Sequence, residues 1–201
     1  EDLNPVWSPD GRRIAFFRHS AQKAGIYLIP SLGGAERKLA DTFANRFALA
    51  PRNYIDWSPD GQWIAASDKS SAHEPFRIAV LSPETGERRW VSAPPASTIG
   101  DLSPAFSPDG KKLAFVHVSS AVVEDIYVMP TNGGAPQRLT FDNALINNLT
   151  WTADGREIVF SARRNLAQGL WKIPVAGGRP EWIAEAGSGV FYPVVAPHGN
   201  R

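Results

Sequence analysis

A short phrase returns at near-constant spacing along this chain. Trp7-Ser8-Pro9-Asp10-Gly11 recurs as Trp57-Ser58-Pro59-Asp60-Gly61 and as Phe106-Ser107-Pro108-Asp109-Gly110. A looser copy is Trp151-Thr152-Ala153-Asp154-Gly155, and a worn fifth is Val195-Ala196-Pro197-His198-Gly199. Measured at Asp10, Asp60, Asp109, Asp154 and His198, the intervals are 50, 49, 45 and 44 residues. A unit of this length cannot bury its apolar surface alone, so consecutive units must stack on one another.

Every unit reads in the same order. A short strand (a) ends in the aromatic, and Pro-Asp-Gly turns the chain because Pro presets φ and Gly takes the positive-φ place. Strand b follows with a small middle residue: Ala15, Ala65, Ala114 or Val159. A polar loop leads to strand c, which begins at Ile26, Ile78, Ile126 or Leu170. A Gly-containing turn then leads to strand d, around Leu39, Val91, Leu139 and Ile183. Four antiparallel strands per 44–50 residues describe a β-propeller blade.

The expected fold is therefore all-β. Four full blades, at about 3–40, 53–92, 102–140 and 147–184, are followed by the start of a fifth at 191–201. Both faces of strand b are apolar, so the end blades need cover, and a ring of six or seven blades is expected. The small residue in strand b lets blades approach closely. Trp7, Trp57, Phe106 and Trp151 are expected to plug the spaces between blades.

Composition removes several functions. Lys plus Arg number 21 against 20 for Asp plus Glu, too even for a dedicated nucleic-acid surface. With no Cys there is no disulfide, thiolate nucleophile or Cys-ligated zinc. No apolar run approaches the roughly 20 residues of a membrane-spanning helix, so no membrane insertion is expected. G-x-S-x-G, H-E-x-x-H and a P-loop are all missing from the sequence. Together these predict a non-enzymatic chain with no cofactor, no catalytic residues and no metal site. The start at Glu1 reads as a cut from something longer.

The turn aspartates lack the alternating oxygens of a calcium loop and are expected to bond their own turn amides. Asn148-Leu149-Thr150 matches a glycosylation sequon but falls on an inner strand. His19 and His117 both follow strand b and are expected as solvent-exposed loop residues on one rim. His73 and His198 suggest no site.

In an up-and-down blade the a→b and c→d turns share one face, where they are tight and uniform. The b→c loops and d→a connections share the other face and vary, which is where recognition usually sits. The connection from Asp41 to Asn53 carries Phe43, Arg46, Phe47 and Arg52, and aromatic and Arg side chains anchor interfaces. The binding candidates are Arg46, Phe47, Arg52, Tyr54, His19 and His117, with a protein or peptide partner on this variable-loop face. Asp2, Arg52, Tyr54, Asp101 and Asn148 are expected near the channel mouth, as a site for a peptide end or a small polar ligand, or as a water-filled funnel. Open propeller ends also allow self-association.

The unit Pro5-Val6-Trp7-Ser8-Pro9-Asp10-Gly11-Arg12-Arg13-Ile14-Ala15-Phe16, with Ile26-Tyr27 and Gly33-Gly34 downstream, resembles the TolB-type, WD-repeat-like β-propeller repeat. The resemblance covers nearly the whole chain. It implies a periplasmic or otherwise extracytoplasmic place, with the cytoplasm still open. It also implies a role as a binding, sensor or scaffold part of a larger bacterial envelope or signalling protein. Similar repeats gate the active sites of prolyl oligopeptidase-like and tricorn-like peptidases, so a gating propeller is the alternative. Fold alone does not choose between these roles.

Overall fold

A computed structural model describes residues 2–19, 24–43, 52–164, 167–183 and 192–195. Four separate sheets of four antiparallel strands follow one another along the chain. The first holds β1 (Asp2–Trp7), β2 (Arg13–Arg18), β3 (Gly25–Pro30) and β4 (Arg37–Asp41). The second holds β5 (Ile55–Trp57), β6 (Ile64–Asp68), β7 (Arg77–Leu81) and β8 (Arg88–Trp90). The third holds β9 (Gly100–Phe106), β10 (Lys112–Ser120), β11 (Val123–Pro130) and β12 (Gln137–Arg138). The fourth holds β13 (Leu145–Trp151), β14 (Glu157–Arg164), β15 (Ala167–Pro174) and β16 (Glu181–Trp182). Among the described residues there is no helix.

The repeated phrase builds the same small lattice four times. In the first turn Ser8 Oγ donates to Asp10 Oδ1 (2.6 Å), which also accepts from the Arg12 amide (3.0 Å). The Arg13 amide in turn donates to Ser8 Oγ (2.9 Å). Ser58 with Asp60, Ser107 with Asp109, and Thr152 with Asp154 repeat the pattern, each at 2.6 Å. Each aspartate is thus occupied in fixing its own hairpin.

Blades pack face on face. The residues of blade 2 that look toward blade 3 are Ala65, Ile78, Val80 and Val91. They meet Phe106, Leu113, Phe115 and Met129 of blade 3. The 1/2 and 3/4 contacts repeat this in the larger cluster, with Ala15 and Ala114 fully buried at the centre of strand b. Burying a side chain such as Phe115 or Leu113 contributes about 1.5–3 kcal/mol, so these interfaces hold the array together.

Two expectations need correction. Trp57, Phe106 and Trp151 are buried between blades, but Trp7 is 59% exposed. This aromatic packs toward the preceding blade, and among the described residues nothing precedes blade 1. The polar loop expected ahead of Ile126, in blade 3, is also mostly strand. β10 and β11 pair as far as Ser120 opposite Val123, so the hairpin of blade 3 extends well beyond the apolar run. The expected fifth strand a is described only at 192–195, where the chain has no assigned strand and borders the central channel. Residues 196–201, His198 among them, lie outside the described residues.

Candidate functional site

The four inner strands line a cavity of about 810 Å³. Its walls include Val6, Asp56, Ala105 and Thr150, one from each blade. Pro59, Pro108 and Ala153 stand at the tight-turn end, and Tyr192 to Val195 run along one side. Near the start of the inner strands a hydrogen-bonded chain crosses three blades. Asn4 Nδ2 donates to Asn53 Oδ1 (3.1 Å), and the Asn53 amide donates to Asn148 Oδ1 (3.3 Å). Asn148 is 1% exposed, which keeps the sequon away from solvent.

The charges expected at the variable-loop mouth are engaged internally. Arg52 is buried and donates through Nη2 to Glu124 Oε1 (2.5 Å) and through Nη1 to the Ile146 carbonyl (3.0 Å). The Ile146 amide donates to Glu124 Oε2 (2.8 Å), so Arg52 ties blade 2 to blades 3 and 4. Burial pushes the Glu124 carboxyl up, against the pull of the Arg52 charge. Asp2 pairs with Arg18 at 2.6 Å. Tyr54 is buried and stacks on Phe17 with ring centroids 5.3 Å apart. Arg52 and Tyr54 therefore lie inside the fold and offer little to a partner.

His117 is not a loop residue. It sits in β10, half-buried, with Nδ1 2.7 Å from Asp101 Oδ1 and its ring edge-on to Tyr127. Its polar character obscured the strand that continues through it. His19 lies just past the end of β2 in blade 1, so blade 2 separates the two histidines. Arg46 and Phe47 lie outside the described residues.

Sequence reasoning missed Asp56. It precedes the aromatic Trp57 and pairs in register with Ala65, while Val6, Ala105 and Thr150 pair with Ala15, Ala114 and Val159. Three blades thus carry a neutral residue where blade 2 carries a carboxylate. That break in the repeat was the available signal. Asp56 Oδ2 accepts from the Phe106 amide (2.7 Å), which braces blade 3. Burial raises its pKa to about 6, partly offset by the Phe106 and Trp57 amides. It lies deep in the channel yet keeps part of its surface open to the cavity.

The variable-loop face carries exposed apolar side chains. Phe43 (56% exposed) and Phe141 (69%) occupy d→a connections, and Val122 (65%) caps the β10–β11 hairpin. The two phenylalanines are held in place. The Phe43 amide donates to buried Asp68 Oδ1 (2.8 Å), and Arg138, bonded to Asp125 at 2.7 Å, stacks over the Phe141 ring. Among the described residues no group of three His, Asp or Glu is arranged to hold a metal ion. Nor is any helix there long and apolar enough to cross a membrane.

Four-stranded antiparallel blades stacked around a channel define a β-propeller. Residues 45–201 match the family model described as the TolB beta propeller domain, and the chain belongs to that family. The uncharacterized protein Atu1656 of Agrobacterium fabrum is 29% identical over 199 residues, 98% of this chain and 63% of that protein. A structure assigned to TolB from Agrobacterium tumefaciens superposes with a TM-score of 0.73 at 26% identity, covering 91% of this chain and 61% of that one. The Tol-Pal system protein TolB of Alcanivorax borkumensis is 44% identical over 64 residues, 31% of this chain and 13% of that protein. The chain thus spans less than two thirds of the length of these relatives.

Proposed function

We propose that this chain is a non-enzymatic binding module that holds a protein or peptide partner on its variable-loop face, as part of a larger extracytoplasmic envelope or signalling protein. The observation that carries this reading is the set of exposed apolar side chains on that face. Phe43, Val122 and Phe141 stand outward, with the Phe43 amide held by Asp68 and the Phe141 ring held against Arg138, itself paired with Asp125. Rigidly presented aromatics bind at low entropic cost. Arg46 and Phe47 follow Phe43 in the same connection and belong to the proposed surface. Arg52 acts in it as the bolt that fixes where the connection ends. The even charge balance of the chain, net +1, supports a protein or peptide partner over a nucleic acid. The four blades are proposed to belong to a ring of six or seven, since the unmatched part of the Agrobacterium fabrum relative has room for about two more units of this period.

The test compares the two faces. Purified chain is used to capture binding proteins from an envelope extract, alongside a Val122→Ser/Phe141→Ser variant and a Leu32→Ser variant. Leu32 is fully exposed in a c→d turn on the opposite face. Loss of a specific partner in the first variant only supports the reading. Loss in the Leu32 variant alone places the partner on the wrong face. Hydrolysis of peptide substrates by the purified chain would refute the non-enzymatic part.

A further inference from the structure

We propose that the central channel is a binding site for a small organic cation, an ammonium ion with an apolar body, whose charge is met by Asp56. The site is distinct from the exposed side chains of the loop face, because its walls are the inner strands, down to Pro59, Pro108 and Ala153 at the tight-turn end.

Asp56 is the starting point. Among the described residues that line the cavity there is no Lys, Arg or His, so this carboxylate has no cationic partner there. A buried charge is costly unless it is paired. The known contact does not require the charge. Asp56 Oδ2 accepts from the Phe106 amide, and the Trp57 amide also points at the carboxylate; an Asn oxygen would accept from Phe106 equally well. The other three blades do without any carboxylate at this register position, using Val6, Ala105 and Thr150. The charge is therefore surplus to the structural role, and it is kept at the cost of a pKa raised to about 6, which still leaves it ionised at neutral pH.

The surroundings specify the rest of the ligand. The cavity volume of about 810 Å³ falls within the range of small-molecule sites, ~300–1,000 Å³. Its lining includes Leu3, Val6, Val194 and prolines together with the half-exposed Tyr192, whereas Trp57, Phe106 and Trp151 at its wall are themselves buried between blades. Walls of this kind favour an apolar body through burial, and Tyr192 offers an exposed ring to the cation. A carboxylate set among such walls selects a cation that carries its own apolar surface over a hydrated metal ion, which needs several oxygen ligands.

Calorimetric titration of the whole chain near neutral pH tests this, with phenethylammonium as the probe and 2-phenylethanol as its neutral counterpart. The expected result is saturable one-to-one binding of the ammonium ion, at least about tenfold tighter than the alcohol. Asp56→Asn, which retains the Phe106 hydrogen bond, should lose that same factor. Equal binding of the two probes overturns the proposal, as does ammonium binding unchanged in Asp56→Asn. Absence of saturation up to millimolar probe also overturns it. Should Asp56→Asn fail to fold, the comparison of probes on the unaltered chain decides alone.

Discussion

Arg52 shows how a residue's neighbourhood in sequence can mislead. It sits beside Phe47 in a connection that reads as a recognition loop, yet its guanidinium is buried against Glu124, 72 residues later. Nothing local in the sequence announces that partner. Removing it leaves Glu124 charged and buried, so Arg52→Ala should lower unfolding stability by about 3–5 kcal/mol in a denaturant titration. Asp56 carries the opposite expectation. Its folded pKa of about 6 lies above the ordinary 3.8, so the fold favours its protonated form. The stability this contributes is complete below about pH 3.8 and is lost as pH rises toward about 6. Asn copies the neutral form. Asp56→Asn should therefore melt higher than the unaltered chain above pH 6, by about 1–3 kcal/mol allowing for the accessible edge, and the gap should close by about pH 4. The turn residues Asp10, Asp109 and Asp154 work the other way. Hydrogen bonds from Ser8, Ser107 and Thr152 lower their pKa values, so their contribution is present above the ordinary carboxylate range and lost in acid.

At the scale of the element, the repeat made the strand order legible, because each Pro-Asp-Gly and Gly-Gly turn marks a reversal and each small residue in strand b marks a close approach. The ends of strands were not legible where polar residues occupy them. Ser119, Ser120, Glu124 and Asp125 read as loop, but Glu124 serves Arg52 and the Ile146 amide, and Asp125 serves Thr140 and Arg138. These side chains fasten the long β10–β11 hairpin to its neighbours, a role that only the tertiary fold reveals. Gly100 marks another such contact. It opens β9 at φ +116° and forms a parallel bridge with Phe76, and an added Cβ would lie 2.2 Å from the Phe76 carbonyl oxygen. Gly133 also has positive φ, but its nearest neighbour would be 3.7 Å away. Gly100→Ala should therefore cost well over 2 kcal/mol and Gly133→Ala about 1 kcal/mol, since only the first adds a backbone clash to the strain. Thermal melts of the two variants check the difference.

For the whole molecule, the two end faces differ in a way the repeat only hinted at. Trp7, Ile14, Phe16, Tyr27 and Ile29 of blade 1 correspond to the residues with which blade 3 packs on blade 2. Here Trp7 stands 59% exposed and Ile14 and Ile29 are partly exposed, while Phe16 and Tyr27 are buried beneath the Arg18 guanidinium. On the outward face of blade 4 the residue paired with Val159 is Lys172, held near Glu157 (3.2 Å) and Glu181 (3.6 Å). Blades 1–3 have Leu28, Val80 and Val128 at that position. Both ends thus carry ion pairs, but only the blade 1 end leaves a large aromatic, Trp7, in the open. The blade-on-blade account holds that an apolar blade face must be covered, in a ring by another blade and in this chain alone by a second copy. Light scattering on the isolated 201-residue chain across the micromolar range measures this directly. The account predicts a mass above 21.9 kDa that falls on dilution, and a return to monomer in Trp7→Ser. A constant mass of 21.9 kDa for the unaltered chain at every concentration would contradict it.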